Sequence, residues 1–471
     1  MKRKLPFMIF HNLRRKFVGN RAFYLMVLGV AVPIMIQNGI TNFVSMLDNI
    51  MVGQMGTEPM SGVAIVNQLL FVFNLCVFGA TGGAGIFGAQ FAGSGNTDGL
   101  RSTTQFKLIV CTLIFFIGLA VYQFGGESLV RLYLHDGSES ADIEATLSYA
   151  MEYRSVMLWG LLPFMLAQVY SSTLRETGQT VVPMISGICA VFVNLALNYV
   201  LIFGHLGFAP MGVRGAALAT VISRFVELAI IAVYAHTHTQ EHPFMARLYT
   251  HWRIPGRLAR QITIQGMPLM VNELLWSTGM TILNQCYSTR GLDAVAAVNI
   301  SSTISNVFSV VFMALGASVG IIVGQRLGAG DMKGARDADN KLIAFSVASC
   351  FVMGGILICV APLFPAIYNT TESVRAIAAS LIRINACYMP LNAFANASYF
   401  TLRSGGKSGI TFVFDSGFTW VLQIPVALAL SRLTSLPIVP LFALCFGLDF
   451  IKCVLGFALV KQGKWLNNLT A

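Results

Sequence analysis

The feature that most limits how this chain can fold is a series of apolar stretches recurring along its whole length. They fall at roughly 23–48, 61–88, 105–124, 149–174, 181–204, 212–235, 262–288, 294–323, 340–364, 377–402, 410–430 and 436–460. Each is near the ~20 residues that an α-helix needs to cross the hydrocarbon core of a bilayer. The expected fold is therefore an all-α polytopic membrane protein with about twelve transmembrane helices. Composition agrees. Of 471 residues, 55% are hydrophobic and 11% charged, where a soluble domain carries about 25% charged residues.

The net charge is +11, a balance that in a soluble protein would point to nucleic acid. Here the basic residues lie mainly in alternate loops. Arg101 and Lys107, then Arg175, then Arg247, Arg253, Arg257 and Arg260 fall on one side. Arg326, Lys333, Arg336 and Lys341, then Arg403 and Lys407, then Lys461 and Lys464 continue the same side. The intervening loops carry Glu58, Glu127, Asp136, Glu139, Asp142, Glu144 and Glu372. By the positive-inside rule, both termini are expected in the cytoplasm and the chain in the cytoplasmic membrane. Nucleic acid is not an expected partner, whereas the lipid bilayer is. Residues 1–22 read as a basic cytoplasmic arm without a signal-peptide apolar region. Nine scattered cysteines show no metal or disulfide spacing.

The longest connection on the basic side, 236–261, separates six spans from six and reads as a linker. The expected domains are an N-terminal lobe at 23–235 and a C-terminal lobe at 262–471. Histidines 236, 238, 242 and 251 stand in or beside the linker with no cysteine at ligand spacing, and no metal site is expected there.

The two halves match each other. AQFAGSGNTDGLR at 89–101 aligns without a gap to GQRLGAGDMKGAR at 324–336, 235 residues later, and the same offset pairs Pro33 with Pro268. TLRETGQ at 173–179 matches TLRSGGK at 401–407. Each half contributes six helices. An even number makes the repeat parallel, about an axis along the membrane normal, which is an alternating-access transporter layout. The Gly-rich loops lack the Lys-Ser/Thr of a phosphate loop and read as tight turns.

Within this frame a few polar residues stand out. The first span contains Pro33, which kinks a helix and is a candidate hinge, and it ends at Asp48. A carboxylate in such a span costs ~2.5–3.5 kcal/mol to insert, so one that persists is a candidate ion site. Glu273 follows Pro268 by five residues in the seventh span. Gln37 and Asn272 occupy equivalent repeat positions and are candidates to line the cleft. Asp449 and Lys452, three residues apart, are expected to neutralise each other. No Ser/Lys, Asp/Asp or HExxH constellation lies within the spans, so an enzyme is not expected.

The segment from Pro33 to Asp48 followed by NIMVGQMG, then GAQFAGSGN, NLALNYVLIFG and GVRGAALATVIS, resembles the multidrug and toxic compound extrusion (MATE) family over residues 22–462. The likeness is to a prokaryotic branch with its cation site in the N-terminal lobe. The resemblance implies coupling-cation ligands at Asp48, Asn194, Asn198 and Thr220, with Na⁺ on Asp48. The second helix-five position is often aspartate in that branch. Here it is Asn198, which leaves one formal charge in place of two. Another branch places acids in the C-terminal lobe, where Glu273 is the acid best placed, although its spacing from Pro268 departs from that branch's pattern. The resemblance implies an antiporter exporting organic cations or amphipathic drugs against Na⁺ or H⁺, with no other cofactor, acting as a monomer. A lipid or oligosaccharide flippase of the same superfamily is the alternative. Its larger cationic cavity is poorly matched by the few intramembrane basics, Arg154, Arg383 and Lys452.

Overall fold

The protein is described from a computed structural model covering residues 16–134, 140–250 and 252–470. Lys2, Arg3, Lys4, Arg14 and Arg15 of the basic arm, with Asp136, Glu139 and His251, lie outside the described residues.

Helices follow one another with short connections. They are α1 (Arg21–Gly53), α2 (Thr57–Gly93), α3 (Thr97–Arg131), α4 (Ser140–Glu176), α5 (Val181–Phe203), α6 (Gly212–Thr237), α7 (Gly256–Ser288), α8 (Leu292–Gly328), α9 (Met332–Val360) and α10 (Glu372–Ser404). Among the described residues, ten helical stretches are long and apolar enough to span a membrane. The two expected spans outside that set correspond to α7 and α10, each interrupted by an internal proline, Pro268 or Pro390, and dotted with polar residues. Helices of 37 residues such as α2 and α8 extend about 55 Å, well past the apolar stretch at their centre.

The eleventh span is not a plain helix. α11 (Ser408–Phe412) passes through two π turns, Val413–Gly417 and Thr419–Gln423, before α12 (Ile424–Leu433). The twelfth is divided at Leu448 into α13 (Ile438–Gly447) and α14 (Asp449–Gln462).

Two compact units emerge. Among the described residues, one holds 16–35, 89–95 and 271–470, and the other holds those within 36–88 and 96–270. The chain passes between them within α1 after Met35 and within α7 after Met270. Both crossings come two residues beyond a helix-interior proline, Pro33 or Pro268.

In the first unit, Val27, Val30, Ala31 and Ile34 of α1 pack with Leu315 and Val319 of α8, Leu342 of α9 and Leu402 of α10. Residues 89–95 make a reciprocal contact with 324–330. A Cβ on Gly93 would run into the backbone of Gln325, and one on Gly328 into the backbone of Gln90. In the repeat register Gly93 pairs with Gly328 and Gln90 with Gln325. Gly95 and Gly330, also repeat partners, turn the chain at φ +69° and +77°, a conformation that costs glycine little. The Gln90 side chain donates to the Ser404 carbonyl at 2.9 Å and that of Asn467 at 3.1 Å, and accepts from Leu469 N–H at 2.7 Å, fastening the C-terminal tail.

In the second unit, a Cβ on Gly79 of α2 would stand 2.7 Å from Met270 Cα of α7. Small residues permit such backbone approach where lipid supplies no hydrophobic drive between helices. The linker is anchored as well. Gln105 donates to the Leu248 carbonyl at 2.8 Å, Ser102 to that of Arg253 at 3.0 Å and Arg101 to that of Phe244 at 3.2 Å. Phe244, Met245 and Leu248 are buried.

Candidate functional site: two polar clusters in the helices

The second unit gathers Asp48 of α1, Asn194 and Asn198 of α5 and Thr220 of α6. Asn194 and Asn198 lie four residues apart and share a helix face. Asn198 Nδ2 donates to Asp48 Oδ1 at 2.7 Å and to Asn194 Oδ1 at 3.2 Å, and Asn194 Nδ2 donates to Thr220 Oγ1 at 3.2 Å. Exchanging the amide O and N of Asn194 serves the cluster better. The nitrogen then donates to both Asp48 oxygens at 3.0 Å, and the oxygen accepts from Thr220 at 3.2 Å. Thr220 also donates to the Ala216 carbonyl at 3.1 Å, the back-bond that holds a hydroxyl against its own helix.

Asn198 Oδ1 is buried with no partner, an acceptor left open next to a carboxylate. The carboxylate and hydroxyl oxygens, with the open Asn198 amide oxygen, suit a hard cation rather than a soft one. Among the described residues, no group of three His, Cys, Asp or Glu side chains stands at metal-binding distance.

The sequence reading missed the walls of this site. Tyr153 is buried and donates to Asn67 Oδ1 at 3.2 Å, and its hydroxyl lies within reach of Thr220. Arg224 lies within electrostatic range of Asp48. It pairs with Glu227 at 3.0 Å and lies 5.1 Å from the centre of the Phe164 ring. Gln37 is not among the Asp48 ligands. Its Oε1 accepts from Arg175 at 2.6 Å.

The first unit holds a different cluster. Asn272 is buried and donates to Asp415 Oδ2 at 2.9 Å. Its side-chain Oδ1 accepts from the Ser416 hydroxyl at 2.6 Å and backbone N–H at 3.2 Å. Lys452 Nζ stands 2.6 Å from the other Asp415 oxygen. This corrects the expected pairing of Lys452 with Asp449, whose Oδ1 instead accepts from Gln423 at 2.8 Å. The π turns explain the change, because the extra residue in each turn re-aims Asp415 and Gln423 toward α14. Glu273 is half-buried beside Asn272, within electrostatic range of Arg403 and Asp415. Asp415 escaped the sequence reading, although an acid within the apolar span 410–430 was a usable signal.

A linker group completes the inventory of titratable neighbours. His236 Nε2 and Tyr249 Oη meet the Tyr170 hydroxyl at 2.8 and 2.6 Å. Burial holds the buried His242 below its ordinary imidazole pKa, against the smaller upward pull of Glu241.

Long apolar helices, with repeat-related prolines in their interiors and polar clusters in mid-helix, define an all-α polytopic membrane protein. The MatE family model matches the chain twice, at residues 33–200 and 268–429, and the chain belongs to that family. The two matches begin at Pro33 and Pro268, the positions that set the repeat. It is 27% identical over 441 residues, 93% of this chain and 92% of the relative, to a probable multidrug resistance protein NorM of Thermotoga maritima. It is 24% identical over 413 residues, 86% of this chain and 87% of the relative, to a probable multidrug resistance protein YoeA of Bacillus subtilis. The fold matches an outward-facing multidrug resistance MATE family transporter with a TM-score of 0.83 at 19% identity, covering 93% of this chain and 95% of the other.

Proposed function

We propose that the chain is a cation-coupled efflux antiporter of the cytoplasmic membrane. It exports organic cations or amphipathic drugs by alternating access as Na⁺ or H⁺ enters. Family membership and the multidrug resistance proteins among its relatives support the transported class. The observation that carries the coupling is the convergence of Asp48, Asn194, Asn198 and Thr220 on one point, with the Asn198 oxygen unpartnered.

In this reading Asp48 alternates between holding the entering cation and releasing it. The cation favours one lobe arrangement over the other, and only that difference in affinity does work. Each charge moved through 100 mV contributes ~2.3 kcal/mol. The positive-inside pattern supports cytoplasmic termini, an N-terminal lobe at 23–235, a linker at 236–261 and a C-terminal lobe at 262–471. The protein acts as a monomer in this scheme. Pro33 is the hinge, because the change of compact unit within α1 lies two residues beyond it. Gln37, Asn272 and Glu273 face the substrate path.

The test is ethidium efflux from sealed proteoliposomes under separately imposed Na⁺ and pH gradients. Asp48→Asn keeps the side-chain shape and removes the charge. Gradient-driven efflux is expected to fall about 100-fold, the factor that ~2.8 kcal/mol of coupling represents. Wild-type rates from Asp48→Asn under both gradients overturn the assignment.

A further inference from the structure

Lys452 sits in surroundings suited to a small ligand. Its ammonium is 2.6 Å from Asp415 Oδ1 and lies 5.5 Å from the centre of the Phe414 ring and 5.9 Å from that of Phe418. One carboxylate plus two aromatic faces is the chemistry that recognises an amine cation. The carboxylate is oriented independently of the lysine, since Asn272 holds its second oxygen and Ser416 holds Asn272. A second acid stands within the lysine's reach. Asp449 lies three residues earlier on α14, on the same helix face and in electrostatic range of Lys452, and accepts from Gln423 at 2.8 Å.

We propose that Asp415, Phe414 and Phe418 form an organic-ammonium site that Lys452 occupies as a tethered resident cation, and that Lys452 yields it by swinging to Asp449. The lysine keeps the carboxylate neutralised within the membrane when no ligand is present. A bare buried carboxylate is costly, so the site always holds a cation, either its own or a guest's. A tethered group competes at an effective concentration in the millimolar range, so a guest enters only with added contacts beyond its charge. Asp415 lies in the first π turn, and Gln423, which donates to Asp449, lies in the second. The site deepens the efflux reading by naming where an amine is held. Its test uses neither a gradient nor Asp48, so the failure of one reading is distinguishable from the failure of the other.

The probe is n-butylammonium chloride, which reproduces the end of a lysine side chain, titrated calorimetrically into the full-length protein in nanodiscs with NaCl as the control salt. Lys452→Met is expected to bind it at least about tenfold more tightly than the unchanged protein. Adding Asp415→Asn to Lys452→Met should abolish the gain, and Phe418→Leu in the Lys452→Met chain should weaken binding about threefold. Equal binding with and without Lys452, or a gain that survives Asp415→Asn, overturns the proposal, as does a gain for NaCl alone. Should Lys452→Met fold poorly, n-butylammonium during extraction raises the folded yield above that in equal NaCl if the site is real. An unchanged yield overturns it.

Discussion

The two polar clusters occupy related places in the repeat and solve opposite problems. In the register that pairs Thr173 with Thr401 and Arg175 with Arg403, Gly187 stands where Asp415 does and Arg224 where Lys452 does. Gln37 and Asn272 are likewise partners. In one unit Asn272 bonds directly to Asp415. In the other, Gln37 passes over Gly187, whose missing Cβ would lie 2.8 Å from Gln37 Nε2, and reaches Arg175. One cluster therefore neutralises its acid with a lysine. The other surrounds Asp48 with neutral oxygens and amides, and its arginine pairs with Glu227. An acid with a tethered ammonium beside it admits only a guest that brings contacts beyond its charge, whereas an acid among amides remains open to a small ion. That difference favours the Asp48 cluster as the ion port.

The same contrast recurs nearer the ends of the helices. Lys107 is fully buried against Glu176 at 2.6 Å, with Thr173 and Ser172 at 3.1 and 3.3 Å. In the repeat registers Leu342 and Ser404 hold those two positions, and Thr401 instead donates to the buried Asp339. Breaking this pair is the largest expected effect. Lys107→Met should cost about 3–5 kcal/mol by stranding Glu176, read as lost thermal stability in detergent. The double change Lys107→Leu with Glu176→Ser copies the other unit and should recover most of that loss. A double variant no more stable than the single would show that the repeat comparison does not hold here.

Gly187→Ala comes next. Its Cβ displaces Gln37 from Arg175, and losing that bond to a partly buried guanidinium should cost about 1–3 kcal/mol. The melting temperature, measured beside that of Gly417→Ala in the other unit, reports it. Pro33→Ala restores a helical hydrogen bond close to the point where α1 changes unit, so it should slow transport by roughly three- to tenfold with little loss of folded protein, about 1 kcal/mol of barrier. Pro268→Ala tests the repeat partner, and unequal effects would mark one crossing as the working hinge.

The smallest effect concerns pH. Folded His242 binds its proton less readily than the unfolded residue. The unfolded state therefore binds more protons, and stability falls as pH drops through and below the ordinary imidazole range. Linker docking should be intact above about pH 6.5 and weaker at pH 5.5, followed by proteolysis within 238–255. His242→Phe should flatten the profile.

How far these features were readable in sequence follows from their physics. Spans and repeat register locally, in hydropathy and offset, whereas the neighbours of Asp48 were legible only through the family resemblance, the four-residue amide spacing placing two of them on one face. The partner of Lys452 does not, because i, i+3 spacing favours Asp449 and only the π turns turn Asp415 toward it. Periodicity carries no trace of a π turn. Arg175 read as a loop charge, yet it is drawn in by Gln37, 138 residues away in sequence, a pairing no local pattern announces.

The crossing of Gly93 and Gly328 obeys a different rule from either cluster. Gly93 rests on Gln325, and Gly328 on Gln90, so the patch recognises a copy of itself, in the manner of an isologous interface. Such a constraint belongs to likeness rather than to either half of the chain. A change at one glycine breaks a match that a change at the other cannot restore. Mid-helix positions such as Gly187 and Asp415 were free to part ways after the sequence doubled. The crossing is the place where the two copies are still required to be the same.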